Sequence, residues 1–225
     1  MSLPGSALIV LGGQSLYLLA SGSLYWPEQS ILFAADLHLG KAATYRQLGQ
    51  PVPQGTTTQT LTKLTQDLAL SGAKHLIVLG DFLHAALVHR SLSTIAALNA
   101  WRAQHPDCEI TLVRGNHDDS AGDPAPELRI KVVNEPLVIE SLSLRHDPAS
   151  ALLGETWLAG HVHPVTYLSG RGRDRLRLPC FVVGLNSCVL PAFGAFTGGH
   201  VCSPRSGECL YVLAGEQVYK LPGQT

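Results

Sequence analysis

Apolar positions along the chain fall into short runs whose spacing changes near Arg129. Before that point two kinds of run alternate. "SALIVLG" and "SLYLLAS", joined by "GGQ", predict an opening hairpin, and the wholly apolar Ile31–Ala35 predicts a strand buried inside a sheet. "GTTTQTLTKLTQDLALSGA" instead puts Leu61, Leu64 and Leu68 at helical spacing, with threonines to cap the start and Gly72 to stop it. "HLIVLGD" predicts a strand, "RSLSTIAALNAWRAQ" a helix and "EITLVRGNHDD" another strand. That alternation predicts an α/β sheet whose strands end on a common edge. After Arg129 the helical period is lost. "RIKVV", "PLVIE", "LSLRH", "TWLAGH", "LPCFVVG" and "CLYVLA" predict successive strands, so the second half is expected to be mainly β. No repeat or low-complexity linker interrupts the 225 residues, and one domain spanning 1–225 is expected.

The apolar pattern leaves one thing unexplained, which is what stands at the ends of its strands. Ile31–Ala35 runs straight into Asp36 and His38, groups that are costly to bury unpaired. "VLGDFLH" ends in Asp81, "LVRGNHDD" in Asn116 and His117, "LSLRHDP" in His146, and "LAGHVHP" in His161 and His163. Each alone is weak: Asp-x-His is a common capped turn, Gly-Asp a common turn dipeptide, and a lone histidine usually a hydrogen-bonded core residue. Five strand ends doing this in order point to one crevice at the carboxyl edge of the sheet. A cation there offsets the burial of so many ionisable groups, and mixed carboxylate, amide and imidazole donors suit Mn, Fe or Zn better than Ca or Mg.

D-x-H, G-D, G-N-H-D, a single His and G-H-x-H, in this order over Asp36 to His163, resemble the calcineurin-like metallophosphoesterases. The resemblance implies an α/β (α+β) fold, a β-sandwich flanked by helices, with two divalent metals. Carried over by position, Asp36, His38 and His163 would hold one metal, Asn116, His146 and His161 the other, and Asp81 would bridge them. His117 matches the family's catalytic histidine and would act as general acid, oriented by Asp118 or Asp119. The implied reaction is in-line attack on a phosphodiester by a hydroxide held between the metals. "DLHLGKAATYRQLGQPVPQGTT" and "LPAFGAFTGG" further resemble the ligase-associated DNA damage response endonuclease branch, the PdeM branch. "DLHLG" and "GDFLH" are also similar to the Mre11 and SbcD nucleases, whose capping and coiled-coil regions this chain lacks. The branch implies a DNA substrate, single-stranded, cut in repair with Mn before Fe or Zn. It also implies a repair helicase and a DNA ligase encoded nearby as partners.

Charge narrows the manner of substrate contact. A formal net charge of -1 excludes electrostatic coating of nucleic acid, so any polyanion contact must be local. Lys41 and Arg46 follow the first motif and are candidate phosphate contacts, against the plainer reading of solvated surface. Arg171, Arg173, Arg175 and Arg177 alternate in "RGRDRLRLP", which suits a DNA backbone, although alternating charge also keeps sheet edges from pairing. His84 is a candidate substrate or supporting group, "NSCVLPAFGAFTGG" a candidate pocket loop, and His75, His89, His105 and His200 have no evident claim. The five cysteines lack a C-x-x-C pair, so reduced packing thiols are favoured over disulfides or a zinc site at Cys202 and Cys209. The short apolar N-terminus carries no early Lys or Arg and no run is long enough to span a bilayer, so no membrane contact and a cytoplasmic place are expected. Two further readings stay open: a hydrolase of small phosphoesters or nucleotide pyrophosphates, and a non-catalytic scaffold of the same fold.

Overall fold

The computed structural model describes residues 3–170 and 174–222. Its first half is the predicted alternation: β1 (Ala7–Leu11), β2 (Gln14–Leu18), β3 (Leu24–Trp26), β4 (Ile31–Ala34), α1 (Lys41–Gln47), α2 (Thr56–Ser71), β5 (His75–Leu79), α3 (Leu92–Gln104), β6 (Glu109–Val113), α4 (Asn116–Ala121) and β7 (Lys131–Val133). These strands form one sheet in the order β1-β2-β3-β4-β5-β6-β7, antiparallel up to β4 and parallel from β4 to β7. The turn between β1 and β2 is Gly12-Gly13, both at positive φ (57° and 81°), which matches the twist of a tight hairpin.

The remaining strands are β8 (Leu137–Ile139), β9 (Leu142–Leu144), β10 (Trp157–Ala159), β11 (Pro164–Ser169), β12 (Arg175–Val183), β13 (Ser187–Val189), β14 (His200–Val201), β15 (Cys209–Ala214) and β16 (Gln217–Lys220). They form a second sheet, with β14-β11-β12-β13-β10-β9-β8 along its length and β15-β16 attached to β12.

Side-chain alternation along β4 explains why this strand has no polar residue. Leu32 and Ala34 point into a core shared with Leu61, Leu64 and Leu68 of α2 and Leu98 and Trp101 of α3. Ile31, Phe33 and Ala35 point the other way, into the core between the sheets with Leu144, Leu158 and Phe181. The fold is thus a mixed α/β sandwich with helices on the outer face of the first sheet, as the sequence resemblance implied.

Several local expectations are corrected. The N-cap of α2 is Gly55 rather than a threonine, and Thr57 instead accepts a hydrogen bond from Gly40 N at 3.2 Å, tying the helix to the loop after β4. "GNHDD" does not continue β6 but opens the short helix α4. The seven-residue α1, and β3, β11, β13, β14 and β16, have no counterpart among the predicted elements. All five thiols are free, with Cys180 and Cys188 buried. Among the described residues no helix is long and apolar enough to cross a membrane.

Candidate metal centre

Strands β4, β5 and β6 run parallel, so the loops that follow them leave the sheet side by side. Pairing continues past the strand ends: Asp36 N donates to Gly80 O (3.2 Å), His38 N to Asp81 O (2.8 Å) and Leu39 N to Phe82 O (2.9 Å). The chain then bends sharply. Of the eight non-glycine residues with positive φ among those described, five are Asp36, His38, Asp81, His161 and His163, at 55°, 44°, 54°, 69° and 50°. Left-handed backbone is uncommon outside glycine and persists only where the surroundings hold it. Here it turns both members of D-x-H, and both of H-x-H, toward one point.

The glycines of the motifs make room for what converges there. A Cβ on Gly80 would lie 2.0 Å from His146 Nδ1, one on Gly115 2.5 Å from an Asp81 oxygen, and one on Gly160 2.7 Å from an Asp36 oxygen. Any side chain at these positions displaces a predicted ligand.

The expected ligands fall into two adjoining groups. In the first, His163 Nε2 lies 3.4 Å from Asp36 Oδ1 and 3.3 Å from His38 Nε2. In the second, His146 Nε2 lies 2.9 Å from both Asn116 Oδ1 and His161 Nδ1. Asp81 stands between them, with Oδ2 3.5 Å from His38 Nε2 and Oδ1 3.5 Å from His146 Nε2. Asp36 and Asp81 are buried, and among the described residues no lysine or arginine forms an ion pair with either.

Electrostatics act oppositely on the imidazole and the carboxylate of this centre. Burial, and then the neighbouring His163, His117, Lys41 and His84, push His38 down to about 2, so its ring stays neutral with a lone pair to offer. Burial pushes the Asp81 carboxyl up against the pull of His146 and the His117 N–H, which disfavours the carboxylate unless a nearby positive charge offsets its burial. Imidazole nitrogens nearly in contact, beside buried carboxylates that no lysine or arginine among the described residues pairs, fit a pair of divalent cations.

His117 sits on the rim of this arrangement. Its backbone N–H donates to Asp81 Oδ1 at 2.9 Å, and its ring packs edge-on against His38 with centroids 4.8 Å apart. Its Nδ1 lies 3.0 Å from the backbone carbonyl of His84, whose ring stacks on it at 5.1 Å. The orienting group is therefore the His84 carbonyl, not Asp118 or Asp119. Asp118 is fully engaged elsewhere: Oδ1 accepts from Phe82 N (3.0 Å) and Leu83 N (3.2 Å), and Oδ2 from Gly115 N (3.0 Å), locking the loop after β5 to the start of α4. Asp119 faces Arg114 at 3.8 Å. Asp118→Ala would leave three buried N–H groups without an acceptor, at about 1–3 kcal/mol each. We expect a loss of at least about 3 kcal/mol in chemical denaturation; a loss under about 1 kcal/mol would remove Asp118 as the tie between these loops.

The candidate substrate groups separate. Lys41 opens α1 beside the centre, close enough to Asp81, His38 and His84 for their charges to interact. Burial and the charges of Lys41 and His117 hold His84 down to about 4. Arg46 turns away and donates to Pro53 O at 2.6 Å. Arg177 donates to Gly199 O at 2.7 Å, Arg175 stacks on Tyr167 at 4.5 Å, and Arg171 and Arg173 lie outside the described residues. Sequence reasoning missed Glu135, whose Oε2 accepts from His146 N (2.6 Å) and Asp147 N (3.1 Å) and so fixes the loop carrying a predicted ligand. No motif surrounds it, and only the fold brings it there.

The family model for calcineurin-like phosphoesterases matches residues 29–178, more than half of the sequence. The chain belongs to that family. This phosphoesterase is similar to a nuclease from Pseudomonas putida, nuclease MPE, with 44% identity over 96% of this chain and 100% of that one and a TM-score of 0.83. A protein from Aquifex aeolicus (19% identity, 64% of this chain and 82% of that one) and the E. coli phosphoesterase Yfce (16%, 85% and 97%) each align at a TM-score of 0.40, a likeness too slight to carry an argument. No curated protein matches the sequence significantly. Family membership makes this phosphoesterase a hydrolytic enzyme dependent on divalent metal ions.

Proposed function

We propose that this phosphoesterase is an endonuclease that hydrolyses phosphodiester bonds of single-stranded DNA in repair, in the cytoplasm, with two Mn ions. The observation that carries the reading is Asp81, a buried carboxylate presenting one oxygen to each of two imidazole groups. Asp36, His38 and His163 would hold one ion and Asn116, His146 and His161 the other. Such a pair supplies Lewis acidity toward phosphate oxygens and lowers the pKa of water. The protein's own groups then have separate tasks. With Nδ1 directed at the His84 carbonyl, His117 is left with Nε2 to face the leaving oxygen and hand it a proton. Lys41, at the mouth, adds positive charge where phosphate arrives. The choice of DNA rests on the likeness to the Pseudomonas putida nuclease together with the "DLHLG" and "LPAFGAFTGG" segments. A repair helicase and a DNA ligase, as that branch implies, are the proposed partners.

The test is purified protein with Mn, Fe or Zn added in turn, offered circular single-stranded DNA, duplex DNA, a phosphomonoester and bis(p-nitrophenyl) phosphate. Nicking of the single-stranded circle, fastest with Mn, is the expected result. Hydrolysis of the monoester alone would overturn the nuclease reading in favour of small phosphoesters.

A further inference from the structure

Two clefts open beside the metal centre, one on the side of each ligand group. The larger, about 460 Å³, is lined by His163 of the first group together with Lys63 of α2 and Arg177 of β12. The other, about 310 Å³, is lined by Asn116, His146 and His161 of the second. Their charges differ. The first is lined by no carboxylate, whereas the second carries Asp119, Glu135 and Asp147, and its one cation, Arg114, is paired with Asp123 at 2.8 Å. A polyanion leaving the centre is drawn into the first cleft and repelled by the second.

The two cations of the first cleft are held in place before any ligand arrives. Lys63 Nζ donates to Phe193 O at 2.6 Å and lies 3.8 Å from the centroid of the Phe193 ring. Arg177 donates to Gly199 O at 2.7 Å. They thus grip the two ends of one loop, which is itself anchored at the centre because Phe193 N donates to Ala35 O (2.8 Å) and Gly194 N to Asp36 O (3.2 Å). Each uses one donor on the loop; an ammonium has three and a guanidinium five. The charge-assisted bonds that remain suit phosphate oxygens. Asp67, with both Ser21 and Ser23 hydroxyls donating to it at 2.7 Å, lies buried beneath Lys63 and does not line the cleft. Apart from Ser21 and Thr197, the rest of the wall is apolar or glycine, including Pro164, Pro179, Ala192 and Leu213. Such a surface accepts a sugar and a base by contact without reading base edges, and the volume falls within the about 300–1,000 Å³ of ligand clefts.

We propose that this cleft is the subsite for the nucleotide next to the scissile phosphate, with Lys63 and Arg177 holding the backbone phosphate on its far side. The proposal rests on the nuclease reading given above and adds to it the path of the strand and an indifference to base identity.

Three variants test it: Lys63→Met removes a cation, Lys63→Arg restores one, and Ala195→Trp narrows the rim without touching charge. Fluorescence anisotropy of a labelled oligothymidylate, measured without added metal, should show binding about tenfold weaker in Lys63→Met and Ala195→Trp, and largely recovered in Lys63→Arg. The salt dependence of log K should flatten by about 0.7 in Lys63→Met, the loss of one phosphate contact on a single strand, and not in Ala195→Trp. With Mn, the ratio of kcat/KM on single-stranded DNA to kcat/KM on bis(p-nitrophenyl) phosphate should fall about tenfold in the two weakened variants, chiefly through KM. A wild-type protein that cuts the small ester but no DNA would remove the nuclease reading and the subsite together. A wild type that cuts DNA, with variants that lower both substrates equally or neither, would remove the subsite alone.

Discussion

Asp81→Ala is expected to abolish hydrolysis, by more than about 10³-fold, because the proposed pair of ions would supply Lewis-acid stabilisation worth several kcal/mol and Asp81 is the carboxylate proposed to hold both. The geometry makes this residue serve three neighbours at once. Its two oxygens address His38 and His146 at 3.5 Å each, and Oδ1 also accepts the His117 N–H at 2.9 Å. Elemental analysis after purification in Mn should show fewer than two ions per chain, and calorimetric titration a weakened metal isotherm. Asp81→Asn separates the contributions, since it keeps an acceptor for His117 N–H but removes the charge. We expect Asn to fold as the wild type does while binding metal poorly. A variant Asp81→Ala that retained two ions and activity within tenfold of wild type would refute the bridging assignment.

Most of this centre was legible in the sequence because its groups stand at the ends of strands. A buried strand is a strong apolar signal, and a buried parallel sheet delivers every strand end to one edge, so order along the chain becomes proximity in space. That accounts for Asp36, His38, Asp81 and Asn116, which follow β4, β5 and β6, whereas His146, His161 and His163 follow β9 and β10 of the second sheet and arrive through the packing of the two sheets. What the sequence could not convey is how residues two apart turn to one point. The structure does it with left-handed backbone at Asp36, His38, His161 and His163, a conformation uncommon outside glycine, although Asp and His adopt it more readily than most residues, and one that no local pattern announces. Contacts made by backbone atoms were equally hidden. The carbonyl of His84, not the nearby Asp118 or Asp119, orients His117, and a carbonyl carries no residue identity. Lys63 looks like an ordinary polar position of α2 until the fold lays the loop from Phe193 against it. Gly-Asp reads as a turn dipeptide in sequence, but at Gly80, as at Gly115 and Gly160, the stronger reason for glycine is the space that a predicted ligand residue occupies.

His117→Ala is the second large effect, and its interest lies in what should not change. The His117 side chain belongs to neither ligand group that flanks Asp81, so the variant should purify with the same two ions per chain. Turnover on DNA should nevertheless fall by about 10²–10⁴-fold, the usual worth of a positioned proton donor. The hydrogen-bond partner decides which nitrogen would do the proposed work: with the His84 carbonyl 3.0 Å from Nδ1, that nitrogen is turned to the carbonyl, and a proton for a departing alkoxide would have to come from Nε2. Leaving-group dependence follows from the same geometry. A deoxyribose oxygen is a poor leaving group without a proton, whereas p-nitrophenolate departs readily as the anion. The loss should therefore be far smaller on bis(p-nitrophenyl) phosphate than on DNA. An equal loss on both substrates would mean that the ring acts by binding phosphate or by shaping the site. An unchanged rate on DNA would exclude it from the chemistry. Replacing His84 by alanine makes the complementary comparison, because it keeps the carbonyl that orients His117 and removes only the stacked ring. Its effect on DNA turnover should be markedly smaller than that of His117→Ala if the carbonyl is what positions the proton donor.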